Sequence, residues 1–103
     1  MQRSNLFKAP VHDFEQRVYE SAKILPPRCS RVLLYLFEVG RATTGQLAHE
    51  CQCGNVSDAV LKMDAVLKSR RLNVLHYLPV TLVRNKFGDV SLVHYWELVD
   101  LHG

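Results

Sequence analysis

Apolar residues recur at helical spacing through roughly the first seventy positions and at alternate positions thereafter. Val11, Phe14, Val18, Ala22 and Leu25 form one such stripe, and Asp13-Phe14-Glu15-Gln16 carries the acid and glutamine spacing of a helix start. Pro26-Pro27 closes the stripe, because proline lacks the N–H that a continuing helix needs. Residues 1–10 show no period and read as a flexible N-terminal arm; residues 11–25 read as the first helix of a single domain spanning 11–103.

A second helix follows the prolines. Cys29, Val32, Leu33, Leu36 and Phe37 fall at i, i+3, i+4, i+7 and i+8, and Gly40 supplies the stop. Thr43-Thr44-Gly45-Gln46 then has the capping-box pattern of a short helix with Leu47, Ala48 and Cys51 inward. Gln52-Cys53-Gly54-Asn55 reads as a turn, and Asn55 or Ser57 caps the next helix. That helix turns Val56, Ala59, Val60, Met63, Val66 and Leu67 inward and ends in Lys68-Ser69-Arg70-Arg71, basic residues that suit the negative end of a helix dipole. From Leu72 the period is two. Leu72–Leu78 reads as a strand interrupted by Pro79, and Val80–Arg84, Asn85–Asp89 and Val90–Leu98 read as a hairpin. Val90, Leu92, His94, Trp96 and Leu98 share one face, and Val99–Gly103 reads as a frayed tail.

The 103 residues suit one domain, and 48% hydrophobic content excludes a disordered chain. No apolar run approaches the ~20 residues of a membrane span, and the opening residues have no apolar leader core, so a cytoplasmic protein is expected. Three cysteines, an odd number, argue against a disulfide framework. The net charge is +3, with seven basic and five acidic residues in 1–53 and six and five in 54–103. This mild, even basicity is compatible with nucleic-acid binding without requiring it.

Helix, short helix, turn, helix and hairpin is the order of a winged helix-turn-helix, an α+β fold with a three-helix core and a C-terminal β-hairpin wing, here with an extra N-terminal helix. Thr44-Gly45-Gln46-Leu47-Ala48, then Asn55-Val56-Ser57-Asp58-Ala59-Val60 with Leu67, and the closing Tyr95-Trp96-Glu97-Leu98, resemble small phage and prophage winged-helix DNA-binding proteins. The resemblance runs from about Arg28 to Val99, and it implies DNA recognition. In one respect the chain departs from a compact helix-turn-helix: Gln52 occupies the position of the turn glycine, and the glycine arrives at Gly54.

On this reading the Ser57–Lys68 helix enters the major groove of double-stranded DNA, with Asn55, Ser57, Asp58, Leu61, Lys62, Ala65 and Lys68 on its outward side. Arg84 and Lys86, on the wing spanning 84–89, hold the backbone, and Arg41, Arg70 and Arg71 are further phosphate candidates. Asp58 and Asp64 oppose phosphate, and Leu61 suits a protein partner at least as well as a base methyl. The alternative is therefore a winged-helix module that binds and modulates a host protein. Phe87 at the wing tip is expected to pack back on the hairpin, and Trp96 and Tyr95 to anchor the hairpin on the helices.

Other chemistry has little support. His49, Cys51 and Cys53 are potential zinc ligands but lack a second cluster at zinc-finger spacing, so no metal is expected. No phosphate-binding loop, dinucleotide turn, nucleophile elbow or paired-carboxylate motif is present, so neither catalysis nor a cofactor is expected. Residues 11–25 carry Phe14, Val18 and Tyr19, which either cap the core or build a homodimer. The expectation is a phage-like transcriptional regulator or replication accessory factor.

Overall fold

Proline opens both N-terminal helices. In the computed structural model, which describes residues 10–78, 83–84, 90–91 and 93–101, α1 (Pro10–Ile24) and α2 (Pro27–Val39) each begin at a proline. The fixed φ of proline suits a first helical position, and its missing N–H would be unpaired there anyway. Helix α1 thus starts about a turn before Asp13, whose carboxylate instead accepts from Arg17 Nε at 2.8 Å. Helix α2 ends as expected at Gly40, which takes φ 83° and donates its N–H to the Leu36 carbonyl at 2.7 Å.

The alternation pattern did not predict β1 (Arg41–Thr43), because three residues are too few to show a period. Pairing with β5 (Tyr95–Asp100) makes them a strand. Helix α3 (Thr44–Glu50) starts at a complete capping box: Thr43 Oγ1 accepts from Gln46 N–H at 3.1 Å, and Gln46 Oε1 accepts from Thr43 N–H at 2.8 Å. Helix α4 (Val56–Ser69) and β2 (Leu72–Tyr77) follow.

The three strands form an antiparallel sheet in the order β1-β5-β2, with Ala42 opposite Trp96, Val74 opposite Leu98 and Tyr77 opposite Tyr95. A separate two-stranded ribbon, β3 (Val83–Arg84) with β4 (Val90–Ser91), lies between β2 and β5 in the chain. The expected hairpin joined Val80–Arg84 to Val90–Leu98; here β5 instead pairs with β2 and β1, and among the described residues the four of the ribbon pair as expected. The long ladder stops at Tyr77, two residues before Pro79, which has no N–H to extend it.

The sheet and helices share one core. Val32, Leu33 and Leu36 of α2, Leu47 of α3, Ala59, Met63 and Leu67 of α4, and Leu72, Trp96 and Leu98 of the sheet are all buried. Trp96 Nε1 donates to Thr44 Oγ1 at 2.8 Å, so its polar edge is satisfied. Tyr95 does not anchor on the helices: period two turns it to the opposite face, where it stacks with Tyr77.

Helix α1 is locked to this core. It contributes buried Val18, Ser21 and Leu25, and its Arg17 side chain is only 8% exposed. All five guanidinium donors are used: Nε on Asp13, Nη1 on the carbonyls of Arg70 and Arg71, and Nη2 on both Asp100 oxygens at 2.9 Å. Burial alone would lower the Arg17 pKa, but the bonds to Asp100 and Asp13 raise it on balance. The expected frayed tail is corrected by the same contacts. Val99 and Asp100 belong to β5, and Leu101 N–H donates to the Arg71 carbonyl at 2.9 Å. Four helices on a three-stranded antiparallel sheet make an α+β fold compatible with a winged-helix arrangement.

Candidate nucleic-acid interface

Helix α4 is amphipathic, and that decides which side chains it offers. Val56, Ala59, Met63 and Leu67 recur every three or four residues and are buried. Ser57, Leu61, Lys62, Ala65 and Lys68 are exposed, Leu61 to 74%. Asn55, not Ser57, is the N-cap: its side-chain oxygen accepts from Asp58 N–H at 3.0 Å, which leaves its amide NH2 for an outside partner.

The charges on this side are matched within the molecule. Asp58 Oδ2 lies 3.2 Å from Lys62 Nζ and 3.0 Å from Arg28 Nη2, and Asp64 Oδ2 lies 3.4 Å from Lys68 Nζ. Both lysines stand four residues after an aspartate, the favourable orientation along a helix. The hydrogen bond from Lys62, with help from Arg28, holds the Asp58 carboxyl below the usual carboxylate range against a partial desolvation that acts the other way. Such exposed pairs are weak, so either lysine can leave its aspartate for a phosphate. Arg28 joins this cluster although its position among the prolines gave no signal; its contact with Asp58 is made across thirty residues.

The three further phosphate candidates, Arg70, Arg41 and Arg71, lie in different surroundings. Arg70 pairs with Glu20 of α1 at 3.0 Å. Arg41 lies opposite Glu97 in register, on the sheet face away from the core, where it donates to Tyr77 Oη at 3.1 Å and covers the Tyr95 ring at 5.0 Å. The Tyr77 bond raises its pKa, and its surroundings are not those of α4. Arg71 is exposed, with a left-handed φ of 60°. Arg84 lies on β3 opposite Val90. Lys86 and Phe87 lie outside the described residues.

Between α4 and the sheet runs a groove of about 360 Å³, lined by Ser57, Val60, Leu61, Asp64, Val74, His76 and Trp96. His76 stacks on Trp96 at 4.0 Å and 8°, and its Nε2 lies 2.7 Å from His94 Nδ1. Both histidines are exposed. Alternation placed His94 with Trp96 on one face, but His76 joins them only through the β2–β5 register, which no local pattern reveals.

The turn before α4 explains the displaced glycine. Gln52 takes φ 51°, the left-handed conformation that glycine usually supplies, whereas Gly54 does not have a positive φ. Cys51 and Cys53 on either side are buried, as is Cys29, and burial pushes the Cys29 and Cys51 thiols up. The His49 side chain is 86% exposed, whereas both cysteines are buried. Among the described residues no three His, Cys, Asp or Glu side chains form a group that could hold a metal.

Comparison with protein-family models, with curated proteins and with solved structures finds no match to this chain. Among the described residues no helix is long and apolar enough to cross a membrane.

Proposed function

We propose that the chain is a cytoplasmic winged-helix DNA-binding protein that lays α4 in the major groove and rests its β3–β4 ribbon on the backbone. One observation carries the reading. Helix α4 is buried along Val56, Ala59, Met63 and Leu67, and its other side, Ser57 to Lys68, is exposed beside a groove that separates it from the sheet. A helix held along one side and open along the other is the geometry that reads base edges. Ser57 and Lys62 supply polar contacts, Leu61 and Ala65 pack on thymine methyls, and Lys68 and Arg28 hold phosphates. By its resemblance to phage-type proteins, the chain serves as a transcriptional regulator or replication accessory factor.

Titration of random-sequence duplex by fluorescence anisotropy at several salt concentrations tests this. Affinity is expected to fall linearly in log–log coordinates, with a slope of about 0.9 for each phosphate contact. Lys62→Glu combined with Arg84→Glu is expected to abolish binding. No binding even at low salt overturns the reading.

A second reading, a module that binds a host protein, is favoured by one specific feature. Leu61, the most exposed large apolar side chain among the described residues, stands among lysines whose charge Asp58 and Asp64 already match. Leu61→Ala separates the two: it removes the apolar anchor of a protein complex and leaves phosphate-dominated binding of random duplex nearly unchanged. A homodimer through α1 remains a further proposal. The helix's inward face already serves its own core, leaving Tyr19 and Ile24, 45% and 59% exposed, for a second copy.

A further inference from the structure

We propose that the free edge of β2 is a self-association surface, where a second copy of the chain adds its own β2, antiparallel, about a twofold axis through Leu75. The pairing involves neither α1 nor DNA.

The sheet has two edges, and they differ. In the order β1-β5-β2 the outer strands are β1 and β2. β1 is three residues long and begins with Arg41; brevity and charge are two devices that keep an edge from pairing. β2 has neither. Its six residues, Leu72-Asn73-Val74-Leu75-His76-Tyr77, include no lysine, arginine, aspartate, glutamate, proline or glycine. Its register with β5 runs unbroken from Leu72↔Asp100 to Tyr77↔Tyr95, so no bulge twists the edge away. Each strand turns the N–H and C=O of alternate residues to either side, so about half of the β2 backbone groups point away from β5. Among the described residues no backbone group bonds to that edge.

Any extended chain can meet the hydrogen bonds of an open edge, and the side chains select which one does. Period two puts Asn73, Leu75 and Tyr77 on the outer face, and puts Leu72 and Val74, both buried, with His76 on the face that carries the helices. A twofold axis perpendicular to the sheet keeps these faces matched between copies. With the axis at Leu75, this residue meets its own copy, and Asn73 meets Tyr77 of the second copy on the outer face. On the inner face Val74 meets His76, and Leu72 meets Leu78. The ladder uses every residue from Leu72 to Leu78 and ends one short of Pro79, which has no N–H to offer. An axis at Val74 shortens it, and an axis at His76 brings Pro79 into it.

Two further features suit a second copy. No charged side chain lies on β2, so the copies bring no like charges together, the common obstacle when a surface meets itself. Leu75 and Leu78 are 44% and 45% exposed, so pairing also covers apolar surface that the single chain leaves in water. The product is a continuous sheet in the order β1-β5-β2-β2-β5-β1. Both α4 helices lie on its inner face, where α4 borders Val74 and His76.

Sedimentation equilibrium of the full chain over a range of concentrations, without DNA, tests the pairing. A monomer–dimer equilibrium is expected. Leu75→Lys sets two ammonium groups against each other at the axis and is expected to raise the dissociation constant at least about tenfold. Leu75 is exposed and lies opposite Glu97, so the single chain accommodates the lysine, and circular dichroism checks that the fold is kept. Ile24→Lys on α1 is expected to leave the constant unchanged. Hydrogen exchange needs no variant: the edge-facing amides between Leu72 and Leu78 are expected to exchange at least about tenfold more slowly in the dimer than in the monomer. A chain that stays monomeric at every concentration overturns the proposal. So does a dimer that Leu75→Lys leaves intact or Ile24→Lys dissociates, or edge amides whose exchange is independent of concentration. None of these results bears on duplex binding, so the DNA reading stands or falls separately.

Discussion

Arg17 and Lys68 are both cations paired with aspartates, yet they do opposite things. Arg17 is buried at the end of the molecule where α1, the turn after α4 and the last strand meet, and each of its five donors has a partner. Lys68 is exposed on α4 and has one partner, Asp64, at 3.4 Å. A buried guanidinium can replace its lost hydration only by meeting every donor, so its geometry is unique and it locks three elements together. An exposed ammonium keeps its water and exchanges partners freely. The molecule therefore has a closed ionic end that holds the fold and an open ionic side that remains available to a ligand.

The sharpest way to break this contrast is to remove the closed pair. Arg17→Ala removes the guanidinium bonds to Asp13, Asp100 and the Arg70 and Arg71 carbonyls, and a loss of about 3–5 kcal/mol by urea denaturation is expected. Lys68→Ala is expected to leave the urea midpoint within error while lowering the salt slope of duplex binding by about 0.9. A loss below about 1 kcal/mol for Arg17→Ala, the range of surface pairs, would dissolve the distinction.

Smaller effects bear on the segment that joins the two regions. Thr43→Ala removes one half of the capping box at the start of α3, with an expected loss of about 1 kcal/mol. Gln52→Gly is expected to stabilise by roughly 1 kcal/mol, because a non-glycine residue at φ 51° carries a steric penalty of that order. Thermal melts of the two variants, moving in opposite directions, check both.

The smallest effect concerns pH. The folded Asp58 carboxyl has a pKa below its unfolded value, so its stabilising contribution is complete above the ordinary carboxylate range. That contribution is lost as pH falls through the depressed folded value. Asp58→Asn is therefore expected to change stability slightly at neutral pH and to shallow the acid limb of the stability curve. An acid limb identical to wild type would show that the Lys62 and Arg28 contacts do not stabilise the folded state.

Much of the helical framework is legible locally. The stripes through Val18, Leu33 and Met63, the stop at Gly40 and the cap at Thr43 each depend on neighbours within one or two turns, and the folded chain keeps them. The exposed side of α4 follows from the same period, which is why Ser57, Leu61, Lys62, Ala65 and Lys68 were readable as its outward set. The partners of Arg70 and Arg41 were not readable, because they come from α1 and from the far face of the sheet, at separations no period spans.

The division between sequence and fold follows the range of the forces involved. Helix period, proline starts and caps act over three or four residues, so amino-acid order alone determined the helices and the side of α4 that faces water. Strand partnership in the three-stranded sheet, the closing of Arg17 on Asp100, and the meeting of His76 with His94 join residues 18 to 83 positions apart. Those contacts exist only after the chain has collapsed onto one core, and only the tertiary structure could decide them.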